Sequence, residues 1–161
     1  MVMQMQIDGV PALADDLGGV ILSGYGAFSV MQVEDGAVRG LDLHLARLRD
    51  EAVELFGRAV PDDLMRRRMA QAVGGRGGRL TLRVNLFSDA VSLRDPARVV
   101  QPRVLTTVSP AALPLSQPPR LQTQVYGREV AHLKHTATLG LTRARRMAVQ
   151  AGYDDALFMD A

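Results

Sequence analysis

Hydrophobic and polar residues alternate most regularly over residues 79–87. Apolar side chains occupy every second position there, with arginine, threonine and asparagine between them. This pattern is typical of a strand with one buried face. The apolar set is Leu80, Leu82, Val84 and Leu86. Weaker patterns predict strands over residues 19–33, 38–40, 99–108, 121–126 and 155–159, with a turn at residues 34–37. Pro102 predicts that the strand over 99–108 either lies at a sheet edge or begins near residue 103.

Two other segments repeat apolar residues every three or four positions, which predicts amphipathic helices. The first follows Asp42, which is placed to cap a helix, and it ends at Gly57. Its inward stripe is Leu41, Leu45, Leu48, Ala52 and Leu55. Pro61 begins the second helix, which ends in the glycine-rich loop at residues 74–78. A third helix is predicted over residues 136–151.

Four prolines between residues 109 and 120 interrupt the periodic patterns and predict a linker. We therefore predict an α/β fold of the α+β kind. Residues 1–112 form a small N-terminal domain with a mixed sheet and two helices, residues 113–120 form the linker, and residues 121–161 begin a second domain. The final strand must pair with residues 121–126 or with residues past 161. We expect the latter, and hence a truncated chain.

Composition and charge narrow the classes of function. The chain has 161 residues and no cysteine, which excludes disulfides, thiolate metal sites and a cysteine nucleophile within it. No apolar run approaches the roughly 18 residues of a membrane span. The N-terminus lacks the pattern of a signal peptide, so we expect a cytoplasmic protein without a membrane partner. The net charge of +2 gives little support to a nucleic-acid partner.

The distribution of basic residues is uneven. Lysine and arginine together number 19, and Lys134 is the single lysine among them. Only a primary amine condenses with an aldehyde to form a Schiff base, so arginine cannot replace lysine in that chemistry. Lys134 is therefore a candidate for amine chemistry. The alternative is that one lysine survived by chance in an arginine-rich composition.

Three segments, in order, carry a longer pattern. They are Tyr25-Gly26-Ala27-Phe28-Ser29 with Val33-Glu34-Asp35-Gly36 and His44-Leu45-Ala46-Arg47-Leu48; then Leu82-Arg83-Val84; and finally Leu133-Lys134-His135, a helix, and residues 152–160. Together they resemble the N-terminal part of the class IV, or fold-type IV, pyridoxal-phosphate-dependent aminotransferases. This family includes branched-chain and D-amino-acid aminotransferases and aminodeoxychorismate lyase.

The resemblance implies a role for five side chains. Lys134 would form the Schiff base with pyridoxal 5'-phosphate and move the proton between the substrate α-carbon and the cofactor. Arg47 would bind the cofactor phosphate, for which a guanidinium is well shaped. Arg83 would contact a substrate carboxylate, and Tyr25 and Phe28 would line the pocket. The implied activity is amino-group transfer between an amino acid and a 2-oxo acid, in a homodimer when full length.

The chain departs from the family pattern in several places. Ser29 stands where many members have glutamate, and Leu139 where many have tyrosine. The family's carboxylate for the pyridine nitrogen would lie past residue 161, in the missing part of the cofactor-binding domain. We therefore expect the chain as given to be inactive. A lyase of the same family and a non-catalytic phosphate-ligand binding protein on the same fold are the alternatives.

Two further alternatives rest on basic residues and histidines. Nucleic-acid binding through Arg66–Arg68 is disfavoured because no aromatic residues are interleaved with them. A metal site formed by His44, His132 and His135 lacks supporting carboxylates, so we predict no metal.

Overall fold

A computed structural model describes residues 3–112 and 115–159. The chain divides into two compact units. The first contains the chain up to Ala112 together with Lys134–Thr136, and the second contains the rest. The predicted domain and linker boundaries stay a prediction. Pro114 of the predicted linker and Asp160 of the last family-like segment lie outside the described residues.

A six-stranded sheet forms the first unit. The strand bounds are β1 Gln4–Ile7, β2 Val10–Pro11, β3 Ala27–Glu34, β4 Ala37–Val38, β5 Arg79–Phe87 and β6 Arg103–Pro110. Their order in the sheet is β2-β1-β6-β5-β3-β4, and every pairing described within it is antiparallel. The strand predicted over residues 79–87 is confirmed. It pairs along its length with β3, from Leu86 opposite Ala27 to Arg79 opposite Glu34.

The helices of this unit are α1 Gly18–Ser23, α2 Leu41–Phe56 and α3 Asp62–Val73. The apolar stripes of α2 and α3 pack on the sheet face that carries the apolar residues of β5. Burial of apolar area contributes about 25 cal/mol per Å², so this layer is the main source of stability. Its buried side chains include Met31, Leu45, Leu48, Phe56, Met69, Leu82 and Val84. The predicted α+β class is confirmed.

The prediction of one strand over residues 19–33 is wrong in its first part. Residues 18–23 form α1, which ends at Gly24 in a left-handed conformation, φ 60°. The apolar residues Ile21 and Leu22 are exposed in this helix. Their hydrophobicity therefore does not reflect a buried strand. True alternation begins only at Ala27, after which every second side chain of β3 is buried through Val33.

Two other boundaries differ from the prediction. Gly40, with φ 67°, precedes α2, so Asp42 lies in the first turn instead of capping the helix. Its carboxylate accepts a hydrogen bond from Arg66 on α3. β6 begins at Arg103, as one alternative predicted, and it lies between β1 and β5, so the edge alternative is wrong. Pro102 stays outside the strand because it has no N–H to donate.

The second unit contains a parallel pair of strands, β7 Leu121–Val125 and β8 Asp155–Met159, connected through α4 Leu139–Gln150. A helical crossover is what a parallel pair requires. β8 therefore has β7 as a partner, which is the first of the two predicted alternatives. The third helix begins three residues later than predicted, because Thr136 bonds to the first unit's own residues instead.

Candidate functional site

The segment Lys134–Thr136 lies along the edge of β3 where that strand begins. The Phe28 N–H donates to the Lys134 carbonyl at 2.9 Å, and the Thr136 N–H donates to the Gly26 carbonyl at 2.8 Å. The Thr136 hydroxyl donates to the carbonyl of Gly24 at 2.7 Å. These bonds on either side of His135 fix the backbone of Lys134 against the sheet.

Gly26 permits this close arrangement. A Cβ added at Gly26 would lie 2.3 Å from the carbonyl oxygen of Leu86 on β5. That oxygen belongs to the backbone of a central strand and cannot move aside cheaply. Only glycine therefore fits between β5 and the Lys134–Thr136 segment without a shift of one of them.

A group of polar side chains lies between β3 and α2 beside this segment. Ser29 is fully buried on β3. Its hydroxyl oxygen accepts a 2.6 Å hydrogen bond from Arg47 Nη2 and lies 2.7 Å from Nδ1 of His44. Because His44 and Arg47 are three residues apart on α2, both reach the same side of the helix. One buried hydroxyl thus connects the two α2 side chains.

The protonation state of His44 determines the direction of its bond. Burial, and then the positive charges of Arg47 and Lys134, lower the pKa of His44 below its usual value of 6.5. The imidazole is therefore neutral at pH 7, and Nδ1 can accept the hydroxyl proton of Ser29 while the Ser29 oxygen accepts from Arg47. Donors and acceptors of the three side chains match in this state.

Glu51 is the fourth member of the group and is only 2% exposed. Its Oε1 accepts the backbone N–H of Lys134 at 2.6 Å and lies 3.9 Å from Arg47 Nε, one helical turn earlier. We refer to Ser29, His44, Arg47 and Glu51 as the α2 network. The network includes the predicted phosphate-binding arginine and contacts the backbone of the predicted catalytic lysine.

The opposite face of the sheet carries a second group, formed by Phe28 on β3 and by Arg83 and Asn85 on β5. The Arg83 guanidinium carbon lies 4.0 Å from the centroid of the Phe28 ring, and the Lys134 amine lies 5.0 Å from the same centroid. Both distances are within the range of cation–π attraction. Arg83 Nε donates to Asn85 Oδ1 at 2.8 Å. We refer to these three residues as the Phe28 group.

The Arg83 guanidinium is poised for an anion. Its burial lowers the pKa of Arg83, although an arginine stays protonated at working pH. Its two Nη groups make no hydrogen bond to the part of the chain that the structure describes. A carboxylate matches such a pair of Nη donors in geometry and charge.

The structure thus brings four of the five predicted site residues around the start of β3: Phe28, Arg47, Arg83 and Lys134. Tyr25 contacts the last turn of α2 instead. Its hydroxyl donates to the Leu55 carbonyl at 2.9 Å, and its ring meets Phe56 edge-on, with centroids 6.0 Å apart. These contacts explain its place by packing. The functional roles of all five side chains stay predictions.

Sequence reasoning missed three polar residues of these groups. In the sequence Ser29 stands out only as a departure from the family pattern, and the pattern assigns no role to Glu51 or Asn85. Glu51 had a recognisable signal, because it follows Arg47 by four residues and lies next to the buried Ala52. Asn85 likewise follows Arg83 by two residues, on the same face of β5.

The metal, nucleic-acid and membrane alternatives concern other parts of the described residues. Over residues 3–112 and 115–159, no three histidine, cysteine, aspartate or glutamate side chains cluster as metal ligands would. Arg66 pairs with Asp42, and Arg67 pairs with Asp63 at 2.6 Å, so carboxylates offset part of the positive charge of that helix face. None of the described helices is both long and apolar enough to cross a bilayer.

Comparisons with known proteins agree on one family. The family model for class IV amino-transferases matches residues 26–161. No curated protein matches the chain. Among solved structures, the fold IV-transaminase CpuTA1 from Curtobacterium pusillum is 22% identical, with a TM-score of 0.71 over 99% of this chain. A hypothetical aminotransferase from Mycobacterium tuberculosis, in its PLP-bound form, is also 22% identical, with a TM-score of 0.71 over 99% of this chain.

The branched-chain amino acid aminotransferase of Escherichia coli is 17% identical, with a TM-score of 0.79 over 100% of this chain. Identities at this level establish a shared fold. The match covers 64% of the Curtobacterium chain, 63% of the Mycobacterium chain and 59% of the Escherichia chain. The chain therefore spans about three fifths of the length of these relatives.

Proposed function

Because the chain belongs to the class IV amino-transferase family, we propose that it binds pyridoxal 5'-phosphate through Lys134 and serves the transfer of an amino group between an amino acid and a 2-oxo acid. One observation carries the proposal. The only lysine amine and the Arg83 guanidinium lie 5.0 and 4.0 Å from the centroid of one aromatic ring, that of Phe28. A reactive amine beside a carboxylate receptor is the arrangement that an amino-acid substrate requires.

Arg47 fits the cofactor phosphate by its chemistry. A guanidinium has five N–H donors, and Arg47 uses one of them for Ser29. Its Nε–H is buried and has no hydrogen-bond acceptor among the described residues. The side chain as a whole is 38% exposed, so an anion can approach it. The Mycobacterium relative in its PLP-bound form supports the identity of the cofactor.

Each side chain then has a defined task. The cofactor supplies an electron sink for the bond that breaks at the substrate α-carbon. With the cofactor bound, Nζ of Lys134 would hold the proton that leaves the substrate α-carbon until it is passed on. Arg83 holds the substrate carboxylate with its two Nη groups, and Phe28 and Asn85 keep the guanidinium in place. Arg47 holds the phosphate, with Ser29 as its fixed anchor.

For the whole protein we also propose the amino-transfer activity, a homodimeric assembly and a cytoplasmic location. The family model supplies the family, and the homodimer is what the resemblance to that family implies for the full-length protein. The binding of the cofactor can be tested on the chain itself.

The test uses the fact that Lys134 is the only lysine. The protein is incubated with pyridoxal 5'-phosphate, reduced with borohydride, digested and analysed by mass spectrometry. We expect a phosphopyridoxyl group on the peptide that contains Lys134 and none on the corresponding peptide of Lys134→Arg, which keeps the charge but has no primary amine at position 134. A folded wild-type protein without an adduct on Lys134 contradicts the proposal. A ligand that is released on washing before reduction supports the non-catalytic binding protein instead.

A further inference from the structure

Glu51 is a buried carboxylate to which the proposed chemistry assigns no task. It lies on α2 at 2% exposure. A buried carboxylate is unfavourable unless charged or hydrogen-bonding partners compensate for its desolvation. Its partners include the backbone N–H of Lys134 at 2.6 Å and the Arg47 guanidinium at 3.9 Å. Both partners are parts of the proposed cofactor site.

The contact with Lys134 joins segments that are far apart in the chain. Glu51 and Lys134 are 83 residues apart. Glu51 and Arg47 lie on the same side of one helix, one turn apart, which corresponds to about 6 Å along the axis. A hydrogen bond from Lys134 to Glu51 therefore ties the lysine backbone to the helix that carries the arginine. Because α2 is rigid, the bond sets the distance between the two cofactor contacts.

From this geometry we infer that Glu51 is a positioning residue. Its Oε1 accepts the backbone amide of Lys134 and thereby holds the cofactor lysine at a fixed distance from the phosphate-binding Arg47. Glu51 does not touch the reacting atoms in this arrangement; it acts through the two residues that do. The inference rests on the proposed function for its consequence, while the backbone contact itself can be measured without a cofactor.

A merely structural role makes a different prediction. If Glu51 only fills a space between α2 and the Lys134–Thr136 segment, its replacement lowers stability. It then also weakens the binding of every Lys134 ligand to the same degree. If Glu51 sets the distance between Lys134 and Arg47, replacement weakens the ligand that must reach both residues. Pyridoxal 5'-phosphate must reach both, whereas pyridoxal lacks the phosphate and needs Lys134 alone.

Two variants separate the oxygen acceptor from the size of the side chain. Glu51→Gln keeps an oxygen at the same position, and Glu51→Ala removes it. Asp50→Asn is the matched control, because it removes one carboxylate from the neighbouring exposed position of the same helix. For each protein the affinities for pyridoxal 5'-phosphate and for pyridoxal are measured by absorbance titration.

We expect the ratio of the two affinities to fall about tenfold in Glu51→Ala, which corresponds to the loss of roughly 1.4 kcal/mol of phosphate recognition, and to stay within about twofold of wild type in Glu51→Gln and Asp50→Asn. Equal behaviour of the Gln and Ala variants would overturn the inference, whether both retain the ratio or both lose it. A fall in Asp50→Asn equal to that in Glu51→Ala would overturn it too.

A second measurement needs no cofactor. Labelling with ¹⁵N-lysine yields a single backbone amide signal, that of Lys134. A second sample labelled with ¹⁵N throughout gives the exchange of Leu82, a buried residue on β5 whose amide reports global opening, for comparison. We expect Lys134 to exchange at least tenfold faster in Glu51→Ala but not in Glu51→Gln, with Leu82 unchanged relative to global stability. Wild-type exchange of Lys134 in Glu51→Ala contradicts the contact. If the amide responds but wild-type protein binds no pyridoxal 5'-phosphate, the proposed function fails and the contact stands.

Discussion

The α2 network and the Phe28 group lie on opposite faces of the sheet, and both contain an arginine. Arg47 is held by the buried hydroxyl of Ser29 and lies next to the Glu51 carboxylate. Arg83 is held at Nε by Asn85 and by the face of an aromatic ring, and its two Nη groups have no acceptor within the described residues. The first arginine is part of a polar scaffold, and the second is oriented by groups that leave its outer edge available.

This difference indicates which ligand group each arginine suits. Arg47 has a carboxylate close by, but its guanidinium still attracts a dianion such as a phosphate. The hydrogen bond to Ser29 holds this guanidinium in a constant position. A guanidinium with two parallel Nη donors matches a single carboxylate, and a substrate must bind and leave in every cycle. We therefore expect the cofactor phosphate on the side of the α2 network and the substrate carboxylate on the side of the Phe28 group.

The largest expected effect comes from removing the arginine of the α2 network. Arg47→Ala removes the charge-assisted hydrogen bonds to the phosphate, each of which contributes roughly 1.5–3 kcal/mol. We expect the affinity for pyridoxal 5'-phosphate to fall by about 10- to 100-fold and the affinity for pyridoxal to stay nearly constant. Both are measured by absorbance titration. Arg49→Ala is the control, because Arg49 lies on the same helix and pairs with Asp62 at 2.8 Å; it should change neither affinity. If Arg47→Ala weakens the binding of both ligands equally, the division of tasks between the two arginines is contradicted.

The next effect should appear on the other face of the sheet. Arg83→Gln removes the carboxylate receptor, so a 2-oxo acid should bind the cofactor-loaded protein about tenfold more weakly, the loss expected for one charge-assisted interaction. The affinity for pyridoxal 5'-phosphate should not change. The comparison is spectral titration with the 2-oxo acid. Arg79→Gln is the matched control, since Arg79 lies four residues earlier on the same strand and is exposed. If Arg83→Gln weakens cofactor binding instead, the two faces are not separate sites.

Local patterns predict most of the longer helices and strands, but not β1, β2 and α1, and neither of these two side-chain groups. The alternation over residues 79–87 predicted β5 because the period of a strand is visible in nine residues. Residues 18–23 were misassigned because hydrophobic residues alone do not distinguish a short exposed helix from a strand. The partners of Glu51 could not be predicted from spacing, since Lys134 is 83 residues away. The prediction of Arg47 and Lys134 comes from a family resemblance, because the motifs of a family mark residues that are distant in sequence but share one site.

The smallest expected effect is a pH dependence that belongs to the α2 network alone. The pKa of His44 is lowered below 6.5 in the folded protein by burial and by the charges of Arg47 and Lys134. The unfolded chain therefore binds a proton at His44 more readily than the folded chain does. The contribution of His44 to stability is complete above pH 6.5 and is lost as the pH falls through the lower pKa of the folded state.

Wild-type protein should consequently lose more thermal stability between pH 7.5 and pH 5 than the His44→Gln variant, whose side chain does not titrate. The measurement is the unfolding midpoint by circular dichroism at the two pH values. Asp63, whose pKa is lowered from 3.8 by its hydrogen bond with Arg67, titrates below this window and does not contribute. The exposed His132 supplies the control, and His132→Gln should keep the wild-type difference. The prediction fails if His132→Gln loses the wild-type pH dependence of the unfolding midpoint, or if His44→Gln retains it. Either result would show that the bond between Ser29 and a neutral His44 does not stabilise the network. Ser29 and Glu51 alone would then hold Arg47 in position.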